Sequence, residues 1–400
     1  MKIIHTSDWH LGQRFYDNDR FEEHELFLRF LLDIIKQENA ELIIIAGDIF
    51  DTANPSREAE RIYYDFLRSL AELKICQALI IGGNHDSAPH LDAPKRLLSA
   101  FNIHVTGAMP NQRKESIYTF KSNHGEEVCI AAIPYLRDRD VRKAVRGESF
   151  EDMEERAKAG IVQCYQEIAE LITEKNLNNM TVIGTGHLTM VGARISESER
   201  SIHIGNLGSI SVDQFPDCFD YIALGHMHRA QKVGNCEHIR YSGSPVPLSF
   251  GEADIKKELR LLEIKGTNIL QKSIPVPVFR RLLRFSGDTD ALRKQIENME
   301  IKENELCPWI ELTVNCRELA GVINDELREL AAEKGAEVLK TTIESSLRTV
   351  VHQESEPTEI RELKPEQVFL KRMQRYEEDV PAETLIQCFR HLVELESENN

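Results

Sequence analysis

The sequence predicts an α/β sandwich over residues 1–277, followed by a small α+β unit and a C-terminal pair of helices. Three observations carry this reading. Short, wholly apolar runs of strand length, such as Leu42-Ile43-Ile44-Ile45-Ala46, alternate with amphipathic helical segments. Pro275-Val276-Pro277 marks a joint beyond which the pattern changes. A polar, charged stretch at 352–364 then sets the last two amphipathic segments apart.

In order, Ile3-Ile4-His5-Thr6 reads as a short strand, and residues 20–38 read as a helix with Phe27, Leu31, Ile34 and Ile35 on one face. The run at 42–46 has the continuous apolarity of a strand covered on both faces. Pro55 suits a helix start, and that helix runs to about Leu73 before a buried strand at Ala78-Leu79-Ile80-Ile81. A strand at 127–133 precedes a long helix at about 150–175, where Ile161, Cys164, Ile168 and Ile172 fall in register. Thr181-Val182-Ile183 and Tyr221-Ile222-Ala223-Leu224 add two strands, and Lys265-Gly266-Thr267-Asn268 suits a hairpin turn. The α+β unit at 278–350 is expected as a strand near 280–285, a helix near 288–299, a strand at 309–314, a helix near 318–334 and a strand at 336–343. Helices at about 365–378 and 381–396, with Pro365 and Pro381 in their first turns, close the 351–400 segment.

A chain of 400 residues suits two or three domains. No apolar run reaches the roughly 18 residues of a membrane span, and the N-terminus has no signal-peptide pattern, so the expected location is the cytoplasm. Eight scattered cysteines without a Cys-x-x-Cys pair argue against a zinc ribbon or a disulfide framework. The net charge of −17 is spread along the chain: residues 1–277 carry 32 Lys+Arg against 40 Asp+Glu, and residues 278–400 carry 17 against 26. An unaided nucleic-acid binder needs cationic surface to neutralise phosphates. Such a function here would require bound cations or a partner.

Five segments place metal-capable side chains at or just past predicted strand ends: Ser7-Asp8-Trp9-His10, Gly47-Asp48, Gly83-Asn84-His85-Asp86, Gly186-His187 and Gly225-His226-Met227-His228. Sites in open α/β sheets form outside the carboxyl ends of strands. A glycine precedes the ligand in four of the five, which allows tight turning and close approach. Taken singly, an Asp-x-His after a strand is ordinary turn chemistry, and a Gly-His is weaker still. Gly-Asn-His-Asp after an apolar run has no packing rationale, and His-x-His aims both imidazoles the same way if extended. Asp8, His10, Asp48, Asn84, His187, His226 and His228 make seven candidate ligands, too many for one ion with an open position. Seven suits two ions that share a bridging carboxylate, the arrangement that clamps an in-line displacement at phosphorus. The mixed oxygen and nitrogen set suits Mn, Fe or Zn rather than Ca.

The ordered set resembles the calcineurin-like metallophosphoesterases. Residues 1–12, 45–55, 82–87, 186–192 and 221–231, with Tyr241-Ser242-Gly243-Ser244-Pro245, resemble the SbcD subfamily, the nuclease subunits of bacterial SbcCD complexes. The resemblance implies a nuclease domain at 1–277, a capping domain at 278–350 and partner-docking helices within 351–400. It implies that Asp8, His10, Asp48 and His228 hold one ion, that Asp48, Asn84, His187 and His226 hold the other, and that His85 faces the substrate phosphate as the catalytic side chain. Asp86 would orient His85 or brace its loop. Archaeal relatives carry a second active-site histidine where this chain has Asp51, so no catalytic role is assigned to Asp51. Two Mn²⁺ ions are implied as cofactors, with Mg, Fe and Zn open alternatives.

The resemblance further implies exonuclease action on duplex DNA in the 3′ to 5′ direction and endonuclease action on single strands and hairpins. It implies work in DNA repair, replication and recombination, a homodimer of the nuclease domain, and a complex with the SbcC ATPase, through which alone ATP enters. The terminal helices, with Val368, Phe369, Met373 and Tyr376, then Leu385, Cys388, Phe389 and Leu392 at helical spacing, suit docking on that partner or packing on this chain's own core. Two other readings remain: a small-molecule or protein phosphatase with the same metals, and a non-enzymatic scaffold for DNA ends. Arg229, beside the His-x-His, is a candidate phosphate contact or a surface ion-pair residue.

Overall fold

A computed structural model describes residues 1–141, 149–194, 196, 209–266, 268–301, 305–315 and 320–343. The segments expected as linker and terminal helices, at 352–364, 365–378 and 381–396, lie outside the described residues. Met1–Glu344 forms one compact unit.

Two six-stranded sheets face each other. The first runs in the order Asn268–Pro275, Glu258–Lys265, Lys2–Thr6, Leu42–Ala46, Gln77–Ile81 and Ile103–Thr106, and its last four strands are mutually parallel. The second runs in the order Gln231–Val233, Cys236–Tyr241, Tyr221–Gly225, Thr181–His187, Glu127–Ala131 and Ile117–Lys121, with its middle four strands parallel. Because side chains alternate across a strand, each central strand feeds two cores. Ile3, Leu42, Ile44, Leu79 and Ile81 meet Val128, Ile130, Ile183, Tyr221 and Ala223 between the sheets. Ile4, Ile43, Ile45 and Ile80 instead meet the helices Phe21–Glu38 and Arg57–Leu73. The helix Phe150–Glu174 covers the outer face of the second sheet through Ile161, Cys164, Tyr165, Ile168 and Ile172. That double burial is why the central strands read as unbroken apolar runs.

The helix at Arg57 is capped by the Ser56 hydroxyl, which accepts from the Ala59 N–H at 3.2 Å, so Pro55 lies just outside the helix. The hairpin expected at 265–268 joins two eight-residue antiparallel strands.

Beyond the proline joint, Arg280–Gly287, Leu306–Val314 and Glu337–Ile343 form a parallel three-stranded sheet. The helices Thr289–Glu297 and Ala320–Glu333 lie between these strands in sequence, as parallel pairing demands. The central strand starts three residues earlier than the 309–314 expected. It accommodates Pro308 near its start, beside a register shift in the neighbouring strand between Arg280 and Leu282. Trp309 stacks on Phe15 with ring centroids 5.3 Å apart and carries the Arg280 guanidinium 4.1 Å above its ring.

Candidate metal centre

All seven expected ligands and His85 stand at one edge of the sandwich, on segments that leave parallel strands of both sheets. Asp8 and His10 follow Lys2–Thr6, Asp48 follows Leu42–Ala46, and Asn84 and His85 follow Gln77–Ile81. From the facing sheet come His187, the last residue of Thr181–His187, and His226 and His228, just past Tyr221–Gly225. Backbone bonds knit the loops together. The Asp8 N–H donates to the Gly47 carbonyl at 3.0 Å, and the His10 N–H donates to the Asp48 carbonyl at 3.0 Å.

The turns needed here are costly. Asp8 (φ 53°), His10 (φ 46°), Asp48 (φ 49°) and His226 (φ 100°) all occupy positive φ without being glycine. Each such residue costs on the order of 1 kcal/mol or more, and such strain clusters at functional sites. The preceding glycines serve mainly close approach. A Cβ on Gly83 would run into the Asp48 carboxylate and backbone nitrogen, and one on Gly225 would run into the Ala46 carbonyl.

The side chains form two buried triads. In one, Asp8, His10 and His228 bring ligand atoms within 4.8 Å of one another; in the other, Asp48, His187 and His226 do so. Asp48 lies between them, its Oδ2 3.6 Å from His10 Nε2 and 3.2 Å from His187 Nε2. Its Oδ1 is held separately by the His85 N–H at 2.9 Å. Asn84 joins the second triad with its Oδ1 2.9 Å from His187 Nε2 and 2.9 Å from His226 Nδ1.

These residues fit divalent cations. His187 Nδ1 donates to the Ala46 carbonyl at 2.9 Å, which assigns that nitrogen its proton and turns Nε2 toward Asp48 and Asn84 as a lone-pair donor. His10 Nε2 is buried with no hydrogen-bond partner. Ligand atoms about 3 Å apart match the edges of a coordination shell with roughly 2.1 Å bonds.

Charges in the cluster lean on each other. Burial pushes the Asp8 carboxyl up to about 6 despite the neighbouring His187. Burial also works against ionised Asp48, but His187, His10 and His85 override it and hold that carboxyl well below its usual range. Burial would lower His187; Asp48 more than reverses this and raises it to about 9. The site is therefore built for net positive charge among its carboxylates, which an imidazolium or a metal ion can meet.

His85 is half-buried, its ring centroid 4.9 Å from that of His10. Its Nδ1 lies 2.6 Å from the Asp51 carbonyl. A carbonyl only accepts, so Nδ1 carries the proton and Nε2 is the nitrogen left to a substrate. Asp86 does not orient His85 directly. Its carboxylate accepts from the N–H groups of Gly83 (2.8 Å), Ile49 (3.2 Å) and Phe50 (3.0 Å), tying two ligand loops together. Trp9 is fully buried against Phe27 and Phe66 and donates to Thr6 Oγ1 at 3.1 Å, beneath the first loop. Arg229 is exposed.

Two supporting residues were given no role from the sequence. The Asp51 carboxylate lies 3.2 Å from His10 Nδ1, so this residue supports both His10 and His85. Glu252, fully buried, sits 3.8 Å from His228 Nδ1 and 2.6 Å from the buried Lys257 ammonium. Lys257 also donates to the His228 carbonyl at 3.1 Å and to Ser244 Oγ at 2.7 Å. Asp51 carried a local signal, its place three residues past Asp48. Glu252 carried none, because only tertiary packing brings it to His228.

The family model of the calcineurin-like phosphoesterases matches residues 1–230. A second family model, described as the type 5 capsule protein repressor C-terminal domain, matches residues 278–377. The SbcD component of the SbcCD nuclease of Escherichia coli K12 is 33% identical over 396 residues, covering 98% of this chain and 96% of that protein. The corresponding SbcCD nuclease component of Bacillus subtilis is 31% identical over 268 residues, 66% of each chain. A solved dimetal phosphatase from Danio rerio aligns over 69% of this chain and 96% of its own at 12% identity, with a TM-score of 0.42.

Proposed function

This chain belongs to the calcineurin-like phosphoesterases and, within them, to the SbcD nuclease subunits, and from that premise we propose that it cuts DNA phosphodiesters at a two-cation centre as one subunit of an SbcCD complex. The observation that carries the reading is the position of Asp48 Oδ2 between the two buried triads, 3.6 Å from His10 and 3.2 Å from His187. Asp8, His10, Asp48 and His228 would hold one ion, and Asp48, Asn84, His187 and His226 the other, with Mn²⁺ as the proposed metal. Bound there, the two ions would supply Lewis acidity toward the phosphate oxygens and lower the pKa of the attacking water.

The protein's own part is orientation and proton transfer. Asp48 Oδ1 and the Asp51 carbonyl fix the backbone and ring of His85. His85 Nε2 would then meet the phosphate or the leaving oxygen, as a hydrogen-bond donor when protonated. Strained Asp8, His10, Asp48 and His226 hold the ligand geometry before substrate arrives.

The acidic balance of the chain, −17 overall, supports reliance on the cations and on the SbcC ATPase for DNA affinity. The terminal segment 351–400 is proposed as the SbcC docking element, with ATP acting only through that partner, and the cytoplasm is proposed as the location. No helix among the described residues is long and apolar enough to cross a membrane. A homodimer of the nuclease domain is supported by exposed Leu97 (66%) and Phe101 (53%), which flank an apolar groove with Leu67, Leu98 and Ile103.

The test is Mn-dependent cleavage of a DNA hairpin by the wild type and by His85→Ala, with bis-para-nitrophenyl phosphate as a small-ester control. The reading expects hairpin cutting by the wild type, and its loss in the variant at unchanged metal content. Hydrolysis of the small ester alone, with DNA intact even after SbcC and ATP are added, would replace it with a small-molecule phosphatase.

A further inference from the structure

The strand Glu127–Ala131 ends on the active edge without a metal-capable side chain after it. Glu127–Ala131 pairs in parallel with Thr181–His187, so its carboxyl end opens beside His187. The chain then continues as Ile133-Pro134-Tyr135-Leu136-Arg137 without regular structure. Two contacts tie this segment to the site. The Tyr135 N–H donates to the Gly82 carbonyl at 2.8 Å, and its ring meets His187 edge-on at a centroid distance of 6.2 Å. Arg137 Nη2 donates to the Asp86 carbonyl at 2.9 Å, one residue beyond His85.

Arg137 is half-buried, yet among the described residues no carboxylate lies within ion-pair distance of its guanidinium. Several other arginines of this acidic chain are paired: Arg20 with Glu23, Arg61 with Glu25 and Glu58, Arg281 with Glu305. The backbone N–H of Arg137 donates to Asp140 Oδ2 at 3.0 Å, which fixes the main chain and leaves the side chain to the site. A half-buried guanidinium anchored by one donor has the rest of its fork for an anion. Burial raises the Tyr135 phenol, with Arg137 opposing and Asp48 adding to the rise, so the phenol lies in the field of both groups.

We infer that Arg137 binds a substrate phosphate, the one next to the phosphate being cut, and that Tyr135 fixes the segment that delivers it. The inference rests on the nuclease reading above. The cut phosphate would meet His85 and the cations held by the ligand cluster, while Arg137 hangs on the carbonyl of Asp86, the residue after His85. One cationic side chain on a flanking phosphate adds affinity that falls with salt and leaves the chemical step alone.

The experiment compares full-length wild type, R137K and R137Q, loaded with Mn²⁺, on a DNA hairpin and on bis-para-nitrophenyl phosphate, which has no flanking phosphate. Glutamine keeps an amide donor for the Asp86 carbonyl and removes the charge; lysine keeps the charge. R137Q is expected to raise KM for the hairpin about tenfold at moderate salt with kcat within about twofold. The slope of log KM against log salt should become shallower by about one. R137K should recover most of the lost affinity, and both variants should hydrolyse the small ester like the wild type. Unchanged hairpin kinetics, or equal losses on both substrates, would overturn the inference. A wild type that cuts only the small ester instead removes the nuclease reading beneath it, a different result.

Discussion

The Asp51 main-chain carbonyl takes the Nδ1 proton of His85 at 2.6 Å, while the Asp51 carboxylate lies 3.2 Å from Nδ1 of His10. One residue thus supports two imidazoles of the candidate site through different atoms, and substitution can separate the two effects. Asp51→Asn leaves the carbonyl in place, so His85 should keep its orientation. His10 loses the carboxylate at its Nδ1, and such outer partners are typically worth 10- to 100-fold in metal affinity or activity. We expect Asp51→Asn to weaken binding of Mn²⁺ at the Asp8/His10/His228 triad about tenfold, with activity recovering at saturating metal. His85→Ala should do the reverse, lowering kcat by about 10² to 10³ with metal binding unchanged. Metal titration beside kinetics distinguishes the two, and activity in Asp51→Asn that stays low at saturating Mn²⁺ would reject the division of labour.

Glu252 and Lys257 form a buried pair 2.6 Å apart behind His228. Burial works against an ionised Glu252, yet Lys257 holds its carboxyl below the usual range. Removing one member of such a pair leaves an uncompensated charge and typically costs about 3 to 5 kcal/mol. Lys257→Met is therefore expected to lower unfolding stability by about 3 kcal/mol. The double variant Glu252→Gln/Lys257→Met should regain part of that loss while still binding metal poorly at His228. Chemical denaturation of the wild type, Glu252→Gln, Lys257→Met and the double variant checks the energetic claim; additive losses would show that the pair is not coupled.

His5 reports on pH. Its Nε2 donates to the Leu224 carbonyl at 3.2 Å and its Nδ1 meets the Tyr221 hydroxyl at 3.0 Å, all buried between the sheets. Burial, partly offset by the Leu224 carbonyl, lowers its pKa from 6.5 to about 3. Between those values the unfolded chain binds a proton that the folded chain refuses. This contribution is whole above pH 6.5 and is lost as pH falls toward 3, at up to about 1.4 kcal/mol per pH unit. His5→Gln should be less stable than wild type at about pH 7.5, and the gap should narrow by that slope between about pH 6 and pH 4. Parallel stability profiles would reject it.

The sequence made the candidate site legible because each candidate ligand segment is local: an apolar strand, a glycine, then a polar side chain with nothing to pack against. Gly83-Asn84-His85-Asp86 is the plainest case. The central strands were legible for the same reason, since Leu42–Ala46 is buried on both faces and every residue says so. Several strands at or beside a sheet edge were not. Ile117–Lys121 and Cys236–Tyr241 mix exposed with buried residues, and Arg14–Phe15 pairs with Asn18–Asp19 over too few residues to show a period. The supporting residues around the ligands were illegible in another way. His10 meets Asp51 across 41 positions and Arg137 meets Asp86 across 51, distances over which no local pattern operates. Charge composition pointed to a missing source of positive potential, and Arg137, which meets no carboxylate among the described residues, would be a small part of the answer within the chain itself.

The place of Asp48 between the triads predicts a stoichiometry that other ligands cannot mimic. If its Oδ2 serves both ions, Asp48→Asn should reduce bound Mn²⁺ from two ions per chain to less than one. His226→Ala should cost mainly the ion on its own side. Gly83→Ala reaches the same carboxylate from behind, because the added methyl would overlap both the side chain and the backbone nitrogen of Asp48. It should therefore behave like a partial Asp48 variant although it removes no ligand. Gly125→Ala makes a control for an added methyl, since nothing lies within 4 Å of a Cβ there, although its φ of 87° brings backbone strain of its own. Ligand binding to the folded state alone stabilises it by RT ln(1 + [L]/Kd), so each lost ion also removes part of the metal-dependent rise in Tm. Elemental analysis after gel filtration, paired with melting curves with and without Mn²⁺, reads both quantities. Equal single-ion losses in Asp48→Asn and His226→Ala would place Asp48 on one ion only.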